Sequence, residues 1–535
     1  MVIVGSKGHS SRCTVCDAEA VANAFRRCAS STGWERSGCI VFDGSRHRWL
    51  SSDGVGGILA RVIPARFEPV LEELSSLAER FGSAGHRLYV VGGTVRDLLL
   101  GDDSFGASDD IDLTTSARPE EIHACLDGWA DAVWNQGEKF GTVGVRLGDR
   151  VLEITTFRAE SYTDESRKPH VVFADDVETD LSRRDFTVNA MALELTSDTP
   201  TLVDPHNGAV DLLQRVLRTP LSPQESFSDD PLRMLRAARF ITKLELAPDE
   251  GLLAAVTEMA PRLEIVSAER IRDEFEKIIC SPHPTAGLWF LIETGLAELF
   301  LPELPAMRLE HDPIHRHKDV LTHTFAVVEN VRPHDELDEA LCNFDFRIVR
   351  LAALFHDIGK PRTRGFQKGK GTTFHHHDVV GAKMTRKRLG ALRFSNDDVE
   401  AITELVALHL RFHTYRLGWS DSAVRRYVRD AGELLNELNV LTRCDCTTRN
   451  EKKARTLSKR MDELEERIAE LAAEEELAAL RPELGGKRVM EHLGLPPGPE
   501  IGKALEFLME IRLEEGLIGE EALLARLDEW YALQQ

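Results

Sequence analysis

RLYVVGGTVRDLLL (87–100), followed by DDIDLT (109–114), is the stretch on which the reading of the fold turns. Residues 87–91 form a short β-rich run. Gly92 and Gly93 break it, and 95–100 resumes at helical spacing, so the pattern predicts strand, glycine turn, helix. Glycines let a backbone approach a phosphate closely, and a helix N-terminus offers free N–H groups and positive potential. A tight turn without a ligand would produce the same letters. The next run predicts a second strand entered from a polar loop. Asp110 and Asp112 are two apart, so on a strand both carboxylates project from one face. A pair of Mg²⁺ ions would relieve their repulsion and position a triphosphate for in-line attack, a two-metal transfer. A solvated acidic turn is the competing account of an isolated DxD.

Working outward, Val70, Leu71, Leu74 and Leu77 predict an amphipathic helix over 67–81. Downstream, 139–146 and 151–157 predict a hairpin, with Glu153 inside its second strand. A buried Glu needs a partner. A metal shared with Asp110 and Asp112 would supply one, and so would Arg146 or Arg158. Arg183, Arg184 and Asp185 precede an apolar stretch read as a helix, where two guanidiniums could grip phosphate or ribose. An N-terminal salt-bridge cluster is the alternative.

GGTVRD (92–97), DID (110–112), RRDFTVNAM (183–191) and SDDPLRMLRAARF (228–240) resemble, in order, the motifs of the class II nucleotidyltransferases. These are the CCA-adding tRNA nucleotidyltransferases and bacterial poly(A) polymerases, and the resemblance is greatest to the actinobacterial CCA-adding type. It covers about Phe67 to the C-terminus. It implies an α/β nucleotidyltransferase head, polymerase-beta-like with a small mixed sheet, followed by an all-α neck, an HD body and a tail. It implies template-independent addition of CCA to the 3′ end of tRNA from CTP and ATP. Asp110, Asp112 and Glu153 would be catalytic, the first two holding Mg²⁺. Nucleotide contacts would come from Gly92, Gly93, Arg96, Asp97, Arg184, Asp185, Asn189, Asp230, Arg233, Arg236 and Arg239. The family often carries Glu where this chain has Asp229.

The Asp230/Arg233 pair also has its own logic. Read as one helix, i and i+3 share a face. A carboxylate accepts from the exocyclic amine of C or A, and a guanidinium donates to the adjacent ring nitrogen. Guanine and uracil present the reverse polarity and would leave buried groups unsatisfied. A surface ion pair of ordinary strength would look the same in sequence. Residues 162–168 show no apolar periodicity. They are a candidate for the flexible head loop that the resemblance implies.

A second constellation begins at His323. His356-Asp357 follows an apolar run, His375, His376 and His377 are consecutive, His409 lies in a helical pattern, and Asp445 sits between Cys444 and Cys446. Imidazoles and carboxylates converging from several helices suit a divalent transition metal. Singly, each histidine would read as an ordinary helix residue. The order resembles the HD phosphohydrolase superfamily, which implies His323, His356, Asp357 and Asp445 as core ligands, with His377 and His409 for a second metal. His375 and His376 are expected in solvent, and the two cysteines are expected to be buried.

The chain has 535 residues, 42% hydrophobic and 29% charged. At about 150 residues per domain, three to four domains are expected. We divide it at 1–64 (an extension expected to be disordered), 65–215 (head), 216–300 (neck), 301–450 (HD body) and 451–535 (tail). Nine cysteines are too few for a disulfide scaffold, and Cys13 and Cys16 alone are a weak metal motif. No apolar run reaches about 18 residues, and the N-terminus does not read as a secretory signal, so a cytoplasmic protein without a membrane segment is expected.

With 66 Lys+Arg against 89 Asp+Glu, the net charge of −23 disfavours a broad basic coat for nucleic acid. A local track is predicted from Arg425, Arg426, Arg429, Arg443, Arg449, Lys452, Lys453, Arg455, Lys459 and Arg460. A solvated helix face is its alternative. Leu457, Met461, Leu464, Ile468 and Leu471 predict a narrow apolar seam, packed in cis or against a second copy, which leaves monomer and tail-mediated dimer open. The rival functions are a poly(A) polymerase, a CC- or A-adding specialist, and, in another class, an HD phosphohydrolase or RNA-binding module with an inactive head.

Overall fold

The structure is a computed structural model, and it describes residues 2–3, 11–12, 40–43, 46–49, 64–101, 110–135, 141–163, 166–197, 199–309, 319–337, 343–368, 371–414, 419–447, 450–475 and 481–534. The chain divides into two compact units, Met1–Val266 with Glu293–Leu296, and Ser267–Ile292 with Ala297–Gln535. The stretch 216–300, read from sequence as one neck, therefore contributes to both.

The first unit is built on a seven-stranded sheet. Its strands are β1 (Leu88–Val91), β2 (Ile111–Thr115), β3 (Ala132–Asn135), β4 (Thr142–Leu147) and β5 (Arg150–Thr156). After a separate ribbon, β6 (Arg158–Thr163) with β7 (Ser166–Phe173), come β8 (Ala192–Glu194) and β9 (Leu202–Val203). The spatial order is β9-β8-β1-β2-β5-β4-β3. Only β2 and β5 run parallel, so the sheet is mixed. That parallel pair matters most, because its register sets Asp112 beside Glu153.

Strand alternation divides the sheet into two faces. Leu88, Val90, Ile111, Leu113, Leu152 and Ile154 face one core. Helix α1 (Glu68–Ser83) covers it with Val70, Leu74, Leu77 and Phe81. Each such buried side chain contributes about 2 kcal/mol. Tyr89, Val91 and Ala192 face the other way, against Val177 and Leu181. Asp112 belongs to that second face by alternation.

Several expectations are corrected here. The apolar run after Arg183-Arg184-Asp185 is not a helix. Thr187–Asn189 is a single 3₁₀ turn, and Ala192–Glu194 then joins the sheet beside β1. A place in the buried sheet outweighs helical spacing in so short a run. The two arginines instead close the C-terminal end of α4 (Val177–Ser182). Arg158–Thr163 and Ser166–Phe173 pair as an antiparallel ribbon, so 162–163 and 166–168 of the loop candidate 162–168 lie in strands, while 164 and 165 lie outside the described residues. A lone ribbon pairs by backbone and needs no apolar alternation.

Within 1–64, expected to be disordered, Val2–Ile3 pairs with Ser11–Arg12 and Ile40–Asp43 with Arg46–Trp49. Cys13 and Cys16 lie outside the described residues, as do Asp109, Lys139, Phe140 and Arg449.

The second unit is helical. It contains α9 (Ala268–Ile279), α10 (Val320–Asn330), α11 (Phe346–Phe355), α12 (Lys360–Thr363), α13 (His377–Ala391), α14 (Asn396–Leu408), α15 (Asp421–Ala431) and α16 (Leu435–Cys444). A small hairpin, β10 (Gly365–Gln367) with β11 (Gly371–Thr373), joins α12 to α13. At its centre Arg350 is fully buried and donates to the carbonyls of Ile279, Ser281, Pro282 and Val331.

The tail opens with α17 (Glu451–Glu475). Met461, Leu464 and Leu471 of its seam are buried, and α15 and α16 pack on this helix, so the seam is covered in cis. A final cluster unites α18 (Gly486–Leu493), α19 (Pro499–Glu515) and α20 (Glu520–Ala532).

Part of the predicted basic track is neutralised, while Lys452 and Lys453 on α17 are exposed. Arg425 is buried and donates to the carbonyl of Leu513. Arg426 pairs with Glu510 and Glu514, Arg429 with Asp430, and Arg443 with Asp462 and Glu465. Arg425, Arg426 and Arg443 fasten helices together, which their charge alone does not reveal.

Candidate functional site

The glycine turn brings three predicted residues together. Gly92 has φ +74° and ψ −134°, a backbone region that favours glycine. A Cβ built there would lie 3.3 Å from Arg184 Nη1 and 3.5 Å from Asp112 Oδ2. The turn therefore faces one acidic and one basic side chain at van der Waals distance. Gly93 opens α2 (Gly93–Leu100), where a Cβ would come 3.4 Å from Arg96 Nη2.

Asp112 reaches solvent, while protein surrounds its carboxylate more widely. That burial pushes its carboxyl pKa up, the Arg184 charge opposes the shift, and Asp110 adds to it. Asp110 is exposed at the entrance to β2. Glu153 is half-buried and stands level with Asp112 on the adjoining strand. In a parallel pair, residues in register share a face. Oxygen-only donors of this kind fit Mg²⁺. Among the described residues, however, the groups of three side chains whose ligand atoms already converge to within 4.8 Å lie elsewhere, in the second unit.

Asp180 was missed by the sequence reading. It is wholly buried on α4 and accepts from Arg183 at 2.7 and 3.0 Å and from Arg184 at 3.3 Å. Thr114 of β2 donates to it at 3.3 Å. Burial raises its pKa, but the two guanidiniums overcome that and hold it below the ordinary carboxylate value. The signal was available, since Asp180 lies three and four residues before the arginines on one helical face.

Five further predicted residues are tied to one another. Arg96, 4% exposed, grips Asp97 through Nε and Nη2, both at 2.7 Å, and Asn189 Oδ1 through Nη1 at 2.5 Å. Asn189 Nδ2 donates to Asp185 at 3.0 Å. Arg236 donates to Asp185 from Nε at 2.8 Å and Nη2 at 2.5 Å. Burial would raise the Asp185 pKa, but Arg236 and Asn189 hold it at about 2. Arg96, Arg236 and Arg239 also lie over the Phe240 ring, at 5.5, 5.7 and 4.8 Å from its centroid. The chain of bonds runs from the glycine turn to α7 (Arg233–Lys243).

Asp230 and Arg233 do not share a helix face. Asp230 is extended (φ −140°, ψ 103°) at the end of α6 (Pro223–Asp229), and Arg233 opens α7. Pro231 explains the break, because a residue before proline is pushed out of the helical region. The Asp230 carboxylate accepts from the N–H of Leu232 at 3.1 Å. The Arg233 guanidinium is largely buried, donating to Ser226 Oγ at 2.9 Å and to the Arg183 carbonyl at 2.6 Å.

The second constellation comes together in full. His323 is on α10, His356 and Asp357 follow α11, His377 opens α13, His409 ends α14 and Asp445 ends α16. Two groups result, His323/His356/Asp445 and Asp357/His377/His409. Asp357 faces both. Its Oδ2 is 3.2 Å from His356 Nε2 and 3.6 Å from His323 Nε2, and its Oδ1 is 3.4 Å from His377 Nε2 and 4.0 Å from His409 Nε2.

The Nδ1 atoms of His356, His377 and His409 lie 2.8, 2.7 and 2.7 Å from the carbonyls of Ala353, Phe374 and Val406. A carbonyl only accepts, so Nδ1 carries the proton and Nε2 presents its lone pair inward. That is the tautomer a metal requires. His323 Nδ1 meets Thr447 Oγ1 at 2.7 Å.

Burial holds the His409 pKa down to about 4, aided by His356. Burial raises the pKa of Asp357, but neighbouring His356 and Lys360 leave it well below the carboxylate norm. Lys360, 2.5 Å from Asp357 Oδ2, and Thr447 were not singled out from sequence. His375 and His376 are exposed, and Cys444 is buried.

Known proteins are similar to this chain in sequence and fold. Residues 88–218 match the poly A polymerase head domain, 245–307 the probable RNA and SrmB-binding site of polymerase A, and 320–472 the HD domain. The A-adding tRNA nucleotidyltransferase of Deinococcus radiodurans is 36% identical over 346 residues, covering 63% of this chain and 75% of that protein. A CCA-adding enzyme of Limosilactobacillus reuteri is 40% identical over 235 residues, 44% of this chain and 55% of the relative, so the match spans about half that protein's length.

Among solved structures, the Bacillus stearothermophilus CCA-adding enzyme in complex with CTP superposes with a TM-score of 0.63 at 24% identity, covering 88% of this chain and 99% of that one. That likeness speaks for the fold. With a 36% identical relative matched over three quarters of its length, this chain belongs to the tRNA nucleotidyltransferase family.

Proposed function

We propose that the protein adds CCA to the 3′ end of tRNA, using CTP and ATP and releasing pyrophosphate. The observation that carries this reading is the meeting of Gly92, Asp112 and Arg184, with Glu153 in register beside Asp112. Gly92 and Gly93 give the triphosphate close access to backbone N–H groups. Arg184, held by Asp180, offers a guanidinium to the nucleotide. Asp110 and Asp112 would hold Mg²⁺, with Glu153 as the third catalytic carboxylate. Bound there, the metal would activate the 3′-hydroxyl and offset charge on the leaving pyrophosphate.

Asp230 and Arg233 would select C and A by hydrogen-bond polarity, presented from the break between α6 and α7 rather than from a helix face. Arg233 must then exchange its Ser226 and Arg183 partners for the base. The buried network of Arg96, Asp97, Asn189, Asp185 and Arg236 braces the pocket from behind. In the HD body, His323, His356, Asp357, His377, His409 and Asp445 would hold divalent transition metal, which supplies Lewis acidity for phosphate-ester hydrolysis. The setting is cytoplasmic, with tRNA as partner. No helix among the described residues is long and apolar enough to cross a membrane.

The test is to incubate the protein with tRNA lacking its 3′ end and with each nucleotide singly and together, then sequence the products. CCA ends are expected, and Asp110→Ala or Asp112→Ala should abolish them. Growth beyond CCA would indicate a poly(A) polymerase. The Deinococcus relative favours one second reading, an A-adding specialist. That enzyme would extend only tRNA already ending in CC.

A further inference from the structure

We propose that the surface formed by the β10–β11 hairpin and the outer face of α13, beside the HD centre, binds single-stranded RNA. Residues 360–393 hold ten Lys and Arg and one acidic residue, Asp378, in a chain whose net charge is −23. Three of the ten are matched: Lys360 with Asp357, Arg388 with Glu303 and Arg393 with Glu269. Arg362, Arg364 and Lys368 near the hairpin, and Lys383, Arg386 and Lys387 on α13, are exposed. They have no ion-pair partner among the described residues. This contrasts with the arginines of α15 and α16, which are consumed by carboxylates and carbonyls.

The arrangement is ordered. Gly381, Ala382, Thr385 and Leu389 bury one side of α13. Positions 383, 386, 387 and 390 then form one outward stripe by helical spacing. In the hairpin, Phe366 is 75% exposed among cations. An aromatic ring that faces water beside cations can stack a base while they take the phosphates. A bilayer would instead call for a group of apolar anchors.

The surface also adjoins the metal-ligand cluster. A Cβ at Gly359 would lie 2.2 Å from the His377 carbonyl, so the chain entering α12 abuts the first turn of α13. A strand lying along these cations would run beside the segments that carry Asp357 and His377, whose side chains are themselves buried. The proposal concerns the second unit alone and stands whether or not the head transfers nucleotides.

The test uses full-length protein and a fluorescein-labelled oligoadenylate RNA, with anisotropy read over a range of KCl. Two triple variants are compared, Arg362→Ala/Arg364→Ala/Lys368→Ala and Lys383→Ala/Arg386→Ala/Lys387→Ala. Each should weaken binding and reduce the slope of log Kd against log salt by about 2, since each lost single-strand phosphate contact removes about 0.7. Phe366→Ala should weaken binding about tenfold. The charge-preserving Lys383→Arg/Lys387→Arg should keep the wild-type slope, which separates lost contacts from lost folding.

Unchanged affinity and slope in both triple variants would overturn the proposal. So would displacement of the RNA by inorganic phosphate as effectively as by unlabelled RNA, or binding to phosphatidylserine vesicles without binding to RNA. Duplex RNA binding as tightly as the single strand would overturn its stacking component.

Discussion

Arg236 closes on Asp185 with two donors on one carboxylate oxygen, Nε at 2.8 Å and Nη2 at 2.5 Å, across 51 residues of sequence. The bond ties the segment after α4 to the helix that begins at Arg233. Its first consequence is a pH dependence. Burial alone would raise the Asp185 pKa, but Arg236 and Asn189 lower it to about 2. A depressed folded-state pKa gives stability that is complete above the unfolded value near 3.8 and is lost as pH falls through about 2. The contribution is about 2 kcal/mol. Urea unfolding of wild type and Asp185→Asn should differ by about that amount at pH 6, and the difference should shrink between pH 4 and pH 2.

Asn189 joins Arg96 to Asp185, so its amide serves two charged groups at once. Asn189→Ala should cost about 2 kcal/mol, because it leaves a buried donor and a buried acceptor each short of a partner. It should also raise the KM for nucleotide, since the glycine turn loses its brace. Thermal melts and steady-state kinetics measure the two effects. A fall in melting temperature with KM unchanged would assign Asn189 to stability alone.

Asp357 turns Oδ2 toward His356 and His323 and Oδ1 toward His377 and His409, whereas His409 belongs to only one cluster. Wild type dialysed against Mn²⁺ should retain more metal than His409→Ala, and Asp357→Asn should retain the least, by elemental analysis. Nucleotide addition to tRNA should survive both changes. Equal metal content in the two variants would show that Asp357 does not serve both groups.

Arg350 is the largest fully buried side chain among the described residues, and its guanidinium serves four carbonyls. Arg350→Met keeps most of the volume but strands those acceptors. It should destabilise the protein by about 3 kcal/mol. Arg350→Lys should recover only part of this, because an ammonium cannot span the same spread of acceptors. Denaturant midpoints for the two variants check the order.

The six HD-body residues that the resemblance pointed to do come together as two clusters, His323/His356/Asp445 and Asp357/His377/His409. The Asp230/Arg233 geometry was misread, although Pro231 stood in plain view as the residue that breaks the helix. Part of the basic track expected from the sequence is neutralised. Charge is written in the sequence, but neutralisation is not: Arg426 and Arg443 find their carboxylates 84 to 88 and 19 to 22 residues away.

The sequence by itself determined what depends on neighbouring residues. That covers the glycine turn, the alternation that aims Asp112 away from the α1 core, the mixed-sheet head and the family to which the motifs belong. Only the tertiary structure decided which of those side chains meet. Asn189 on Arg96, Arg236 on Asp185, and Thr114 on Asp180 are hydrogen bonds, and a hydrogen bond requires its partners to within a few tenths of an ångström. Spacing along a chain sets such distances within one helix turn or one strand. Across 93 residues, as from Arg96 to Asn189, only the packing of the whole sheet and its helices sets them.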